Sequence, residues 1–226
     1  MRIISWNCNG AFRKKHKALL NLDSDIYVIE ECENPAISKD KDYEKFSKNY
    51  IWVGYKSKGL GIFTKDTITL KNNNWECYGL EWFISCTVNN KLTILGVWGS
   101  GNHIEDIYVY LQIHKEKLKN IDNILICGDF NSNSRWDKKH KRRTHSVVVK
   151  ELESLNLYSC YHYINNDEQG KESEPTFYMY RNKNKPYHID YCFYKKNKIK
   201  NLEIGKFEQW ISLSDHMPMI IDIDDL

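Results

Sequence analysis

Short apolar runs punctuated by Asn, Gly and Lys dominate the chain, and their spacing predicts its elements. Ile3–Trp6 reads as a strand closing in Asn7-Cys8-Asn9-Gly10, and Asp25–Ile29 as a second strand running directly into Glu30-Glu31. Between them, Ala18, Leu19 and Leu22 recur at helical spacing and predict a helix over Lys14–Leu22. Tyr43, Phe46 and Tyr50 mark a short helix within 38–50. Ile51–Tyr55, Gly61–Thr64, Glu76–Leu80, Trp82–Val88 and Leu92–Trp98 are β-rich and split by turn residues, with Asn89-Asn90 as a hairpin turn. His103–Ile121 carries Ile104, Ile107, Tyr108, Leu111 and Leu118 on one stripe and predicts one long helix. The apolar run Ile124–Cys127 is the next strand. A basic loop and a helix near Thr144–Leu155 follow, with Thr144 as N-cap. Thr176–Tyr180, Ile189–Tyr194, Leu202–Phe207 and Pro218–Ile223 read as the remaining strands, and polar Asn165–Pro175 as a surface loop.

This mixture of strands, hairpins and helices places the chain in the α/β or α+β class with much antiparallel sheet. No Pro/Gly/Ser-rich linker interrupts it, so residues 1–226 are expected to form one domain. A strand, an Asn, a basic segment, a helix and Leu-Asn-Leu occur near 3–22 and again near 124–157, a hint of internal duplication.

Composition narrows the class without naming a partner. A chain of 226 residues that is 41% hydrophobic can bury a substantial core. Its 33 basic and 30 acidic residues leave a net charge of +3, too mild to identify a polyanion, so local clustering matters more. The seven cysteines are dispersed, with no Cys-x-x-Cys pair, which favours reduced thiols in a cytoplasmic protein and disfavours zinc. The N-terminal apolar run is too short for a signal peptide, and no apolar segment reaches membrane-spanning length.

Candidate chemistry gathers at strand ends. In Gly128-Asp129-Phe130-Asn131 an extended backbone would put Asp129 and Asn131 on one face, suited to a phosphate and a divalent cation. The same residues also suit an ordinary Asx turn. Asn7, Glu31, His188 with Asp190, and Asp215 with His216 occupy equivalent positions at the ends of other strands. Each is unremarked alone, as a turn or a solvated acid; it is their co-occurrence that points to a site. Converging carboxylates repel one another unless a cation lies between them, and such oxygen donors suit Mg²⁺ or Mn²⁺. A histidine paired to an aspartate is held in one tautomer and can donate to developing charge.

The five motifs Ser5-Trp6-Asn7-Cys8-Asn9-Gly10, Ile29-Glu30-Glu31, Gly128-Asp129-Phe130-Asn131, His188-Ile189-Asp190-Tyr191 and Ser214-Asp215-His216-Met217-Pro218 resemble, in order, those of the endonuclease/exonuclease/phosphatase superfamily. The resemblance implies a four-layered α/β sandwich, two packed mixed β-sheets flanked by helices. It implies Glu31 as principal metal ligand, with Asn7 and Asp215 beside the metal. Asp129 would orient or deprotonate the attacking water, and Asn131 would bind the scissile phosphate. His216 would donate to a phosphate oxygen, with Asp190 fixing its ring. Glu30 stands where many relatives carry Gln, His188 where Arg is frequent, and Trp98 where a Tyr or His contacts phosphate. His188 and Trp98 are therefore candidate substrate contacts, although Trp98 cannot act as an acid or base.

The substrate is less determined. Residues 135–143 hold six Lys or Arg and Trp136, which makes Arg135, Lys139, Arg142 and Arg143 candidate contacts to a nucleic-acid backbone. Lys56, Lys58 and Lys65 flank the Gly59–Gly61 turn as further phosphate contacts, and Phe177, Tyr178, Tyr180, Tyr187 and Trp210 offer stacking surface or core. The leading expectation is a monomeric Mg²⁺- or Mn²⁺-dependent nuclease acting on DNA or RNA. The alternatives are a phosphatase or phosphodiesterase on a small phosphorylated molecule, and a catalytically idle binding module.

Overall fold

The computed structural model describes residues 1–224. Its strands are β1 (Arg2–Asn7), β2 (Ile26–Cys32), β3 (Tyr50–Tyr55), β4 (Lys58–Thr64), β5 (Leu70–Asn72), β6 (Phe83–Val88), β7 (Leu92–Trp98), β8 (Ile124–Asp129), β9 (Tyr158–Ser159), β10 (Phe177–Tyr178), β11 (Pro186–Tyr187), β12 (Asp190–Tyr194), β13 (Ile199–Ile204) and β14 (Met219–Ile223). The α-helices are α1 (His16–Leu20), α2 (Lys41–Phe46), α3 (Ile104–Ile113), α4 (Lys115–Lys119), α5 (His145–Ser154), α6 (Cys160–Asn165) and α7 (Phe207–Trp210).

One sheet has the order β13-β14-β1-β2-β4-β3 and the other β5-β6-β7-β8-β12-β9, with β10 and β11 forming a separate ribbon. In each sheet one central pair is parallel, β1 with β2 and β7 with β8, and the remaining pairs are antiparallel. The order of the two sheets is therefore matched about β1 and β8, the strands that begin the two similar stretches of sequence.

Alternation along the strands builds four layers. Ile3, Val28, Leu125 and Cys192 fill the space between the sheets. Ile4, Tyr27 and Ile29 face α1, α2 and α7 with Phe12, Leu19, Tyr43 and Trp210. Ile124, Ile126 and Phe193 face α3, α4 and α5 with Ile107, Leu118 and Val148. The apolar runs are nearly continuous because both faces of the central strands are covered.

Several elements differ from expectation. The helix expected over His103–Ile121 breaks at His114, whose ring bonds to the Glu76 carbonyl at 2.9 Å and packs on Trp75. That contact holds Glu76–Leu80 as a loop over the helix, so the edge strand is β5 instead. The Lys14–Leu22 helix reduces to a 3-10 turn at Phe12–Lys14 followed by α1. Tyr180, at φ 58°, ends the strand expected over Thr176–Tyr180 after Tyr178. Phe207 opens α7 instead of closing a strand. The short β9 and α6 were not expected at all. Thr144 does cap α5, accepting from the Val147 amide. All seven cysteines are free, with only Cys77 less than fully buried. Among the described residues no helix is long and apolar enough to cross a membrane.

Candidate active site

The alternation that sends Ile3, Val28, Leu125 and Cys192 between the sheets sends Asn7, Glu30, Asp129 and Asp190 to the rim of the same layer. Register then aligns them in rows. Asn7 lies opposite Glu30 in the first sheet, and Trp98, Asp129 and Asp190 lie side by side in the second. Glu31 would point the other way in a regular strand. Its φ of 59° and the register shift between Ile29 and Cys32 form an irregularity that re-aims it. Gly128, at φ 146°, is required behind Asp129: a Cβ there would lie 1.8 Å from the Val97 carbonyl oxygen.

Asp129 is fully buried and held from three sides. Its Oδ1 accepts from the Asn131 amide at 2.8 Å, and its Oδ2 from Asn131 Nδ2 at 2.9 Å and Asn7 Nδ2 at 3.0 Å. The backbone turns at Asn131 (φ 46°), so the expected shared strand face is replaced by an Asx turn. The two sequence readings of this segment are thus one structure: the turn itself brings Asn131 onto Asp129. Phe130 points into the helix-side core.

His216 completes the network. Its Nδ1 lies 3.0 Å from each oxygen of Asp190, and its Nε2 lies 4.0 Å from Asp129 Oδ2. Thr176 Oγ1 donates to Asp190 at 2.6 Å while accepting from the Ile189 and Asp190 amides. Ser214 Oγ accepts from the His216 amide and donates to the Asn7 carbonyl, which ties the two chain segments together. Burial works to lower the His216 pKa, but the carboxylates of Asp190 and Asp129 outweigh it and push it up to about 10. Burial and the nearby Asp190 raise Asp129 to about 7, against His216 and the Asn7 bond. The pair therefore favours a protonated imidazole beside a carboxylate of near-neutral pKa.

Glu31 is anchored by Asn7 Nδ2 at 3.4 Å and by Lys58 Nζ at 2.6 Å. Asp215 accepts from Asn9 Nδ2 at 2.6 Å, and Asn9 N donates to Asn7 Oδ1. Asn7 thus offers its Nδ2 donors to Glu31 and Asp129 and bridges the two carboxylates. Ligand atoms of Asp129, Asp190 and His216 also lie within 4.8 Å of one another, close enough to hold an ion. Their mutual bonding leaves Glu31 and Asp215 as the freer oxygens. The oxygen donors of this carboxylate-rich set fit a hard divalent cation, which would compete with the Lys58 ammonium for Glu31.

The expected substrate contacts divide. Arg135, Lys139, Arg142 and Arg143 are exposed, the first two on a 3-10 helix over Ser134–Lys139. His188 is a correction: it is 3% exposed, its Nδ1 bonds to the Glu174 carbonyl, and its ring packs on Tyr161. It is part of the wall and offers nothing to a phosphate. Trp98 is likewise nearly buried against Trp82. Lys65 is engaged by Asp23 and Asp25, away from the rim, whereas Lys58 reaches Glu31. Tyr178 and Trp210 are core.

Two contributors, Thr176 and Asn133, escaped sequence reasoning, and a third, Lys58, was legible only as a possible phosphate contact. Thr176 orients Asp190, Lys58 neutralises Glu31, and Asn133 fastens the basic helix to the wall. Asn133 Nδ2 reaches Glu172, the His188 carbonyl and the Tyr191 hydroxyl, each at 3.0 Å, while its Oδ1 accepts from Arg135 N. The Asn-Ser-Asn-Ser pattern after Phe130 was a usable sign for Asn133; nothing local marks Thr176.

A family model described as the endonuclease/exonuclease/phosphatase family matches residues 4–216, and the chain belongs to that family. No curated protein matches it. Among solved structures it is similar to a 3′ phosphatase from Neisseria bound to a product DNA hairpin, with 17% identity, a TM-score of 0.74 and 100% of each chain covered. It is also similar to an AP endonuclease from Archaeoglobus fulgidus, with 18% identity, a TM-score of 0.72 and 100% of each chain covered. The endonuclease domain of TRAS1, a telomere-specific non-LTR retrotransposon, shares 15% identity at a TM-score of 0.65, with 99% of this chain and 98% of that one covered. These likenesses bear out the four-layered fold.

Proposed function

We propose that the protein is a divalent-metal-dependent phosphodiester hydrolase whose substrate is nucleic acid. The observation that carries this reading is the Asp129–His216–Asp190 network, whose Asp129 lies five residues before a 3-10 helix with exposed basic side chains. Glu31 with Asp215 would hold a divalent cation, which we take to be Mg²⁺ or Mn²⁺ and which would supply Lewis-acid polarisation of the phosphoryl group. Asp129, aligned by Asn7 and Asn131, accepts the proton of the attacking water. Protonated His216 donates from Nε2 to a non-bridging oxygen, where negative charge develops. Asp190 and Thr176 hold the imidazole in the required tautomer. Arg135, Lys139, Arg142 and Arg143 supply the backbone contacts that position a polymer. The unpaired cysteines favour a reducing compartment, the cytoplasm, and we take the active form to be a monomer.

A small phosphorylated molecule is the second reading, favoured only by a catalytic network that needs no polymer. The deciding experiment is a substrate panel with Mg²⁺ or Mn²⁺. It contains single- and double-stranded DNA, RNA, an abasic duplex and small phosphomonoesters and diesters, with Asp129→Ala as control. Cleavage of the polymers confirms the first reading. Cleavage of small esters alone replaces it with the second, and equal activity in Asp129→Ala removes the site assignment.

A further inference from the structure

A continuous row of aromatic rings leads from the catalytic histidine to the basic helix. Phe177 packs on His216, with ring centroids 4.6 Å apart. Tyr187, paired with Phe177 across the β10–β11 ribbon, lies 6.3 Å further on, and Trp136 lies 5.4 Å beyond Tyr187. Lys139 Nζ sits 5.9 Å from the Trp136 centroid. All three rings are half-buried, so they are fixed in place while keeping surface open. Large rings at a water-exposed rim have no core to complete, and Trp136 is flanked by the exposed cations Arg135, its neighbour in sequence, and Lys139.

We infer that Trp136, supported by Tyr187, is a stacking site for an unpaired nucleobase of the strand whose phosphate lies at Asp129 and His216. This rests on the nucleic-acid reading above and deepens it. The chemistry selects that occupant. A base in a duplex has both faces stacked and shows a protein only its edges and its phosphates. A π-face platform beside a phosphate-binding centre is closed to a base inside a duplex and open to one released from pairing. The flanking cations match the phosphates on either side of such a base, while Lys139, held over the ring by a weak cation–π contact, can move to a phosphate as the base arrives. Trp136 lies one residue beyond Arg135, whose amide Asn133 holds, so the platform is tied to the segment that carries Asn131.

The test separates stacking from charge. Binding is measured without divalent cation, so that nothing is cleaved, for an oligothymidylate and for a baseless deoxyribose-phosphate oligomer of equal length. The native protein is expected to bind the oligothymidylate about 5- to 150-fold more tightly. Trp136→Ala is expected to remove most of that preference while affinity for the baseless oligomer stays within about threefold, a change set against the same stacking scale. Trp136→Phe is expected to retain much of the preference, which shows that loss in the alanine variant is not misfolding. Equal binding of both oligomers by the native protein, or an undiminished preference in Trp136→Ala, overturns the stacking site alone. A native protein that binds neither oligomer overturns it together with the nucleic-acid reading.

Discussion

Asp190 faces His216 symmetrically, with both carboxylate oxygens 3.0 Å from Nδ1, while Thr176 donates to one of those oxygens at 2.6 Å. The carboxylate can therefore only accept from the imidazole, which fixes the proton on Nδ1 and leaves Nε2 to face Asp129. Asp190→Asn puts an amide where two acceptors are needed. Its kcat is expected to fall about 10²–10⁴-fold with little change in the cation concentration required, measured as initial rates across a metal titration.

Lys58 and a divalent cation compete for the same charge on Glu31. Glu31→Gln is expected to raise the cation concentration for half-maximal activity at least tenfold, the equivalent of about 1.4 kcal/mol. Lys58→Ala is expected to lower that concentration at low ionic strength, and the difference should shrink as salt screens it. Removing metal with a chelator should abolish turnover, with recovery on adding Mg²⁺ or Mn²⁺.

On the proposed reading, the exposed Arg142 and Arg143 would act on a polymer through charge alone. Replacing both with Ala is expected to reduce the slope of log affinity against log salt by roughly 1–2, as for loss of one or two phosphate contacts. Filter binding or fluorescence anisotropy over a salt series checks this. An unchanged slope returns the segment to a solvated surface.

Glu30 is fully buried between the sheets, and neither of its carboxylate oxygens has a hydrogen-bond partner. Burial, reinforced by Asp190 and Asp129, raises its pKa well above the ordinary 4.5. The folded protein thus holds a proton that the unfolded chain releases, so stability from this group declines as pH rises above about 4.5. Glu30→Gln supplies a permanently neutral group of the same shape. Its Tm is expected to exceed that of the native protein at pH 8, with the gap closing toward pH 4.

His145 and His188 carry the opposite sign. Burial depresses each from 6.5 to about 4, so the unfolded chain takes up protons first as pH falls. Their contribution is intact above about pH 6.5 and is lost between there and pH 4, by roughly 3 kcal/mol for each histidine. Chemical denaturation across that range should show the decline, and His188→Gln should flatten it by about half.

The strands were legible where their role is to fill a core on both faces. Ile3–Trp6 and Ile124–Cys127 needed only their apolar runs, and the alternation inside them explains why Asn7 and Asp129 meet. Elements governed by one distant contact were not legible. His114 looks like any helical residue until the Glu76 carbonyl binds it, and Glu76–Leu80 looks like a strand until it is folded over that helix. The site shows the same division. Asp129, Asn131, Asp190 and His216 were legible from motifs, and the structure brings them together. His188 was misread because its neighbours in sequence line the site while its own ring turns inward to Tyr161. Glu31 reaches the site only through a left-handed residue, which no alternation rule foresees.

The placement of β14 beside β1 carries a consequence for biosynthesis. Asn7 and His216 are joined through Ser214 across more than two hundred residues of chain, by the bond to the Asn7 carbonyl. Asp129, the general base in the proposed mechanism, and its amide partners are translated long before the imidazole that completes them. A nascent or prematurely terminated polypeptide lacking the Ser214–His216 segment therefore has its acidic half-site but no donor for the phosphate oxygen. In the proposed mechanism, hydrolytic competence is therefore withheld until translation has passed that segment.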